Sequence, residues 1–349
     1  MLDWLESENI VARLKFLELI ERKSRYREQT DGIEHRFALA LESIPDEHKE
    51  GALAIFSSIL YITQPVLIDA WKSLWWKLQK KEGLSADRIE NEVLILELDR
   101  DQLRDSFYKF NNIAGRLQDN LPWHSSNDLI DALIALENGA LDKTQRQALL
   151  TAIERPVWLN LVDISLSGTS VESDLARLNL IAKLRPSGTP PRVITTLLIA
   201  TEQAEKVLKK VTKVYYKAIG IPNSASLSNE FYSLIVDQEL VKKMHLACDW
   251  FAAQVVCESS TRFAELAKEN SKENIAKWGF KEGGWSVITC NNAPNNSLPI
   301  LWFESERYKP PFPRVDSRTG NKSWGARKEW LKGLTEEKIA KIKDQLSGI

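Results

Sequence analysis

The sequence predicts an α/β fold, a parallel sheet flanked by helices, with a helical addition at the N-terminal end. Three observations carry this. Two continuous apolar segments, residues 157–162 and 193–199, are separated by a helical stretch at 170–184, the strand–helix–strand pattern of a parallel sheet buried on both faces. A third apolar run, Glu-Val-Leu-Ile-Leu-Glu-Leu at 92–98, precedes them with the same texture. The first 85 residues instead repeat apolar side chains at helical spacing.

Taken in order, residues 9–29 set Ile10, Leu14, Leu17, Leu19 and Ile20 among charges as an amphipathic helix, and 35–44 continue it. Pro45-Asp46 breaks the pattern, and a helix follows from Glu50 through Tyr61. Pro65 sits in the first turn of a helix over 65–82, where proline is tolerated. Trp71 and Trp75 share a face of that helix and Trp76 extends it, either as core filler or as a stacking platform for bases. After strand 92–98 come a helix from Arg100 to Phe110, a polar loop NNIAGRLQDN, and helices at 126–138 and 142–154, the latter stopped near Pro156. Within the strand–helix–strand unit RPSGTPPR is a turn-rich connection, and after it 201–218 reads as a helix. Residues 228–278 read as helical. Gly279 to Gly284 lead into a strand at 285–290, and 300–303 suggests a further short strand. A terminal solvated helix is expected at 335–346. These elements divide the chain into a helical region at 1–88, a core at 89–315 and a basic tail at 316–349.

Composition narrows the function classes. With 43% hydrophobic and 27% charged residues the chain can build a core, which argues against disorder. No apolar run approaches the ~18 residues of a membrane span. The start, MLDWLESENIVARLKF, lacks the basic head and apolar stretch of a signal peptide, so no leader and no membrane partner are expected. The three cysteines (Cys248, Cys257, Cys290) form no CxxC, and fit buried thiols in a reducing cytoplasm. The four histidines form no HExxH, so no metal site is expected from them, and neither GxGxxG nor GxxxxGK[ST] occurs. A net charge of -1 conceals an uneven distribution: from residue 305 onward 11 lysines and arginines face 6 acids, which permits an electrostatic role for the tail.

One segment carries recognisable chemistry. In 157–170, VWLNLVDISLSGTS, an apolar strand ends in the carboxylate Asp163 and a small polar loop opens a helix. Backbone N–H groups at a helix start suit a phosphate, Gly168 permits close approach, and Ser165, Ser167, Thr169 and Ser170 supply hydroxyls. Asp163 can accept hydrogen bonds from ribose hydroxyls at the strand's carboxyl end, where ligands bind in open α/β sheets. The same residues also describe an ordinary helix cap.

The stretch resembles the phosphoribosyl pyrophosphate loop of type I phosphoribosyltransferases, in which an apolar strand, two acids and two apolar residues precede a small-residue loop with glycine. Asp163 lies where the second acid belongs, Val162 stands in place of the first, and Leu166 replaces a polar or small residue. Downstream, NNAPNNSLPILW at 291–302 is similar to a "PNN-[ST]-LP-x-x-W" element of the phosphoribosyltransferase-like proteins of bacterial conflict and anti-phage systems, retron-associated ones among them. Pro311, Phe312, Pro313 and Arg314 match that group's closing "PLFPR"-like end. The similarity spans roughly 90–315 and implies a type I phosphoribosyltransferase-like sheet.

The resemblance implies magnesium with phosphoribosyl pyrophosphate as donor, Asp163 on the ribose and the Ser165–Ser170 loop on the 5'-phosphate. A pyrophosphate loop is not evident; 111–116, Asn-Asn-Ile-Ala-Gly-Arg, reads first as a helix-ending turn. Losing one acid costs about 1.5–3 kcal/mol of binding, so the expectation is a degenerate nucleotide- or ribose-phosphate-binding component of a defence system. Its implied partners are defence proteins, a reverse transcriptase or DNA-binding protein, and nucleic acid. Two alternatives stay open: an active phosphoribosyl or glycosyl transferase or nucleosidase, and an interaction scaffold using the helical front and basic tail. Asn291, Asn292, Asn295 and Asn296 form a second candidate loop, whose amides can read base edges or close a tight backbone path. It is expected beside the 163–170 loop, on the premise that both follow strands of one sheet.

Overall fold

The computed structural model describes residues 33–98, 103–111, 123–229, 237–256, 273–290, 293–294, 296–313 and 324–348. The helix expected at 9–29, the loop at 112–120, Cys257 and Arg314 lie outside them. In chain order the elements are α1 (Ile33–Glu42), α2 (Asp46–Ser57), β1 (Leu60–Ile62), α3 (Gln64–Glu82), α4 (Ala86–Glu92), β2 (Val93–Glu97), α5 (Leu103–Phe110), α6 (Ser126–Glu137) and α7 (Lys143–Ile153). There follow β3 (Val157–Ser165), α8 (Thr169–Ala182), β4 (Arg192–Thr201), α9 (Glu202–Val211), β5 (Tyr215–Ile221), α10 (Gln238–Phe251), α11 (Glu273–Trp278), β6 (Val287–Thr289), α12 (Trp324–Lys332) and α13 (Glu336–Ser347). Two compact units result: Met1–Leu67 with Pro222–Ser317, and Ile68–Ile221 with Arg318–Ile349. The cuts fall inside α3 and on either side of 222–317, so they differ from the divisions at 88/89 and 315/316 drawn from sequence.

The second unit holds a four-stranded parallel sheet in the order β2-β3-β4-β5. Leu96, Asn160, Thr195 and Tyr215 form one row across it. Each crossover advances one strand in the same direction, so α8 and α9 share a face. Val171, Leu175, Leu178 and Ile181 of α8 and Leu208 of α9 accordingly join Trp158, Val162 and Leu197 in one core. The apolar runs are continuous because the other face is covered too, with α5 packed on β2 and β3. Helices α6 and α7 start where their sequences say. Ser125 with Asp128, and Asp142 with Gln145, close capping boxes that satisfy the first-turn N–H groups.

Several expectations change. The helix foreseen at 201–218 stops at Val211, and Tyr215–Ile221 is a strand instead. Its β-branched and aromatic residues gain a parallel ladder against β4 that a longer helix forfeits. The helix placed at 50–61 is Asp46–Ser57, entered directly after Pro45, and its expected last turn belongs to β1. Helix 228–278 is not continuous: among the described residues it is α10, a π turn at Ala252–Val256, and α11. No strand forms at 300–303; Pro299–Leu301 is a 3-10 turn with proline at its start, closed by the Leu301 N–H on the Leu298 carbonyl.

The C-terminal helix is not a solvated tail. Ile342 and Leu346 of α13 are fully buried in the second unit's core, each worth about 1.5–3 kcal/mol of burial. The tail's cations are also partly spent. Arg327 makes a two-pronged pair with Asp131, with N···O distances of 2.6 and 2.5 Å, which raises the guanidinium's affinity for its proton. Glu137 takes the Trp330 indole N–H at 2.7 Å and Lys338 at 3.0 Å.

In the first unit β1 and β6 form a separate two-stranded parallel sheet, Leu60 opposite Val287 and Ile62 opposite Thr289. Helices α2 and α10 close over it, touching where Gly51 leaves room: a Cβ there would lie 2.1 Å from the Lys243 carbonyl oxygen. Phe37 meets Phe56 and Phe312 edge-to-face at 5.0 and 5.7 Å. Among the described residues no helix is long and apolar enough to cross a membrane.

Candidate functional site

The loop after β3 is built from its neighbours. Strand alternation sends Trp158, Asn160 and Val162 to the helical face and Asp163 to the other. Asn160 is the one polar residue in the buried part of that run, and it anchors α8. Its Nδ2 donates to Asp174 Oδ2 at 2.9 Å, and the Ser126 hydroxyl of α6 donates to Asp174 Oδ1. Arg177, 3.7 Å from Asp174, also donates to Asn127 at 3.0 Å. A buried carboxylate held from two helices and a strand fixes where α8 begins. Thr201, at the end of β4, adds the second clamp: its hydroxyl donates to the Leu166 carbonyl and accepts the Ala204 N–H at 3.0 Å. Neither clamp was singled out from sequence. The signals were Asn160 inside an apolar run and Thr201 standing as a helix cap before Glu-Gln.

Within this frame Gly168 adopts φ +81° and caps α8 without a side chain. A Cβ there would come 2.8 Å from Val207 Cβ and 3.2 Å from the Ala204 Cα and carbonyl oxygen of α9. The glycine therefore serves a left-handed turn and a close approach of α9, a different use from admitting a phosphate. The loop's donors are the backbone amides. Among the described residues no atom accepts from the N–H groups of Ser167, Gly168, Ser170 or Val171, while Thr169 N–H points at the Ser167 hydroxyl at 3.4 Å. These unpaired groups stand at the positive end of a 14-residue helix, Gly168 and Val171 themselves being buried. Ser165 is buried, Ser167 and Thr169 are half-buried and Ser170 is exposed. Asp163 is half-buried, and its Oδ1 accepts the Ile164 N–H at 2.5 Å. On the neighbouring strand Glu97 also ends at the carboxyl edge; it is buried and accepts the Leu103 N–H at 3.0 Å, fixing the start of α5. Val162, where the resemblance puts a second acid, has no exposed surface and lies in the apolar core.

The asparagine loop sits elsewhere in the topology. It follows β6, whose partner is β1, so the two candidate loops do not follow strands of one sheet, and that ground for placing them together falls. Asn291, Asn292 and Asn295 lie outside the described residues. Asn296 is buried and donates through Nδ2 to the Phe280 carbonyl at 2.8 Å. Beside it the Ser297 hydroxyl donates to Val287 O at 2.6 Å and the Trp302 indole to Ser297 O at 2.9 Å. The described part of this element is thus tied to backbone carbonyls of its own unit.

Metal and thiol chemistry find little here. Among the described residues no group of three or more histidines, cysteines or acids gathers to hold a metal. Cys248 and Cys290 are buried, which pushes their thiols up to about 12 and about 11 and keeps them in the unreactive form. The arrangement at 163–170 can bind an anion through amides and a sugar hydroxyl through one carboxylate.

Comparison with known protein families places the chain as follows. The sequence model of the PRTase-CE family fits residues 135–314, from the last turn of α6 through β3, the 163–170 loop, β4, β5 and the asparagine element. No curated protein and no solved structure matches the chain.

Proposed function

Since the chain belongs to the PRTase-CE family, a phosphoribosyltransferase-like group, we propose that it binds a ribose phosphate or nucleotide at the loop following β3, with weak or no transfer of the ribosyl group. The unpaired amides of Ser167, Gly168, Ser170 and Val171, of which those of Ser167 and Ser170 belong to residues with exposed surface, are the observation that carries this reading. They lie at the start of α8, and a 5'-phosphate there would meet the helix's positive end. Asp163 accepts from the ribose hydroxyls. The Ser167, Thr169 and Ser170 hydroxyls are within the same turn and add donors.

The case for weak chemistry is physical. A transferase of this type must hold the ribose while pyrophosphate departs from the anomeric carbon. In this loop Asp163 is the single carboxylate, because position 162 faces a packed core where a charge cannot be accommodated. Magnesium would enter chelated to a pyrophosphate donor, with Asp163 as the loop's contribution. A role in a bacterial defence system, of the retron kind, follows from the resemblance of 291–302 and 311–314 to that group and fits a binding component better than a rapid enzyme.

Calorimetric titration with ribose 5-phosphate tests the reading. Binding heat is expected for the native chain, with affinity lowered about 10- to 100-fold in Asp163→Asn, the loss of a charged acceptor. Equal affinity in the variant overturns the assignment of Asp163, and absence of heat in both overturns the site.

A further inference from the structure

The tryptophans of α3 divide in an informative way. Trp71 and Trp75 turn onto the Phe107 ring, with centroids 5.7 and 5.8 Å away in edge-to-face geometry. They exhaust the core-filling role of that face. Trp76 points away and is 57% exposed, the most exposed of the large apolar side chains described. An indole left in water contributes nothing to folding that a smaller polar residue would not supply better. Its surroundings are specific. Lys72 and Lys80 stand one helical turn before and after it, both exposed and neither paired with a carboxylate among the described residues.

Cationic charge continues across the neighbouring strand. Lys77 donates to the Lys217 carbonyl at 2.6 Å, and burial together with the charges of Lys81 and Lys217 holds its ammonium below the ordinary lysine range. The acids close by are already engaged. Glu82 pairs with Arg192 at 2.5 Å and accepts from Tyr216, whose phenol is pushed up to about 12, chiefly by burial, while Glu205 pairs with Lys217. Asp69, three residues before Lys72, is the remaining exposed acid on that side of the helix.

We propose that Trp76, Lys72 and Lys80 form a binding site for single-stranded nucleic acid, separate from the ribose-phosphate loop, in which a base stacks on the indole and the flanking ammonium groups take phosphates. Stacking on an aromatic face tolerates any base, and lysines on flexible stems follow a backbone without reading sequence. An acidic peptide would satisfy the lysines but leave the indole without a partner, so the chemistry of the triplet selects the polynucleotide.

Fluorescence anisotropy of a labelled oligothymidylate of about 15 nucleotides, titrated with the full chain at low salt, tests this. Native protein is expected to bind. Trp76→Ala should weaken binding about 5- to 100-fold, the range for loss of one stacked base, and Trp76→Phe should recover most of it. The double variant Lys72→Glu/Lys80→Glu should lower affinity and flatten the slope of log affinity against log salt by about 1.4, two phosphates at ~0.7 each. All three positions are exposed, so unchanged melting curves are expected and certify folding. Binding by Trp76→Ala equal to native, no binding by the native chain, or displacement of the oligonucleotide by poly-glutamate as readily as by unlabelled oligothymidylate would each overturn the proposal.

Discussion

Gly168→Val should destabilise the second unit by about 2–6 kcal/mol, read as a fall in thermal or denaturant midpoint. Two independent costs add. A β-branched residue at φ +81° sits in a region that L side chains avoid, at about 1–3 kcal/mol. Its Cβ would also stand 2.8 Å from Val207 Cβ with the Ala204 backbone 3.2 Å away, an overpacking that forces α9 outward at about 1–3 kcal/mol. At roughly 2–4 °C per kcal/mol for a unit of this size, the shift is easily measured. An unchanged midpoint would mean that α9 does not lean on the loop. The variant therefore reports on packing before it reports on ligand, and side-chain changes at Asp163 are the cleaner probe of binding.

The second large effect concerns the missing acid. Val162→Glu writes back the residue that type I transferases carry, yet it should unfold rather than activate. Val162 has no exposed surface and lies among Trp158, Val171, Leu175 and Leu197. A carboxyl group in such a place has its pKa raised by about 3–5 units, equivalent to ~4–7 kcal/mol of destabilisation once the pH exceeds the folded-state pKa and to ~3.5 kcal/mol at pH 7. The sign fixes the pH dependence. With the folded-state pKa above the unfolded value near 4.3, the deficit against native protein is full at pH above the folded pKa and shrinks as pH falls towards about 4. Denaturant midpoints of both proteins across that range provide the check. A variant as stable as native at pH 8 would show that position 162 can face solvent, and the argument for a one-acid site would fail.

These two positions show what a sequence can and cannot disclose. Residues 157–162 were legible as a buried parallel strand because both faces are covered and the run is unbroken. The starts of α6 and α7 were legible because Ser125 and Asp142 cap them locally. The loop at 163–170 was legible as a small polar turn into a helix. Its glycine was not, since the reason for it, α9 pressed against the turn, comes from residues more than thirty positions away. The strand β5 was misread because Lys-Val-Tyr-Tyr-Lys follows a helix directly, and only pairing with β4 decides its conformation. The three-residue strand β1 was hidden for the same reason, its partner β6 lying far along the chain. Periodicity put Trp71, Trp75 and Trp76 on one stretch of helix but could not say which would meet Phe107. For Asn296, amide chemistry is equally suited to a base edge or a carbonyl, and the Phe280 carbonyl takes it.

Backbone amide resonances of the 163–171 segment, followed while ribose 5-phosphate is added, address the central claim most directly. The account predicts that the N–H signals of Ser167, Gly168, Ser170 and Val171 move together and saturate, and that the response is lost in Asp163→Asn at the same ligand concentration. Saturating shifts confined to other segments, with these four amides unmoved, would contradict it.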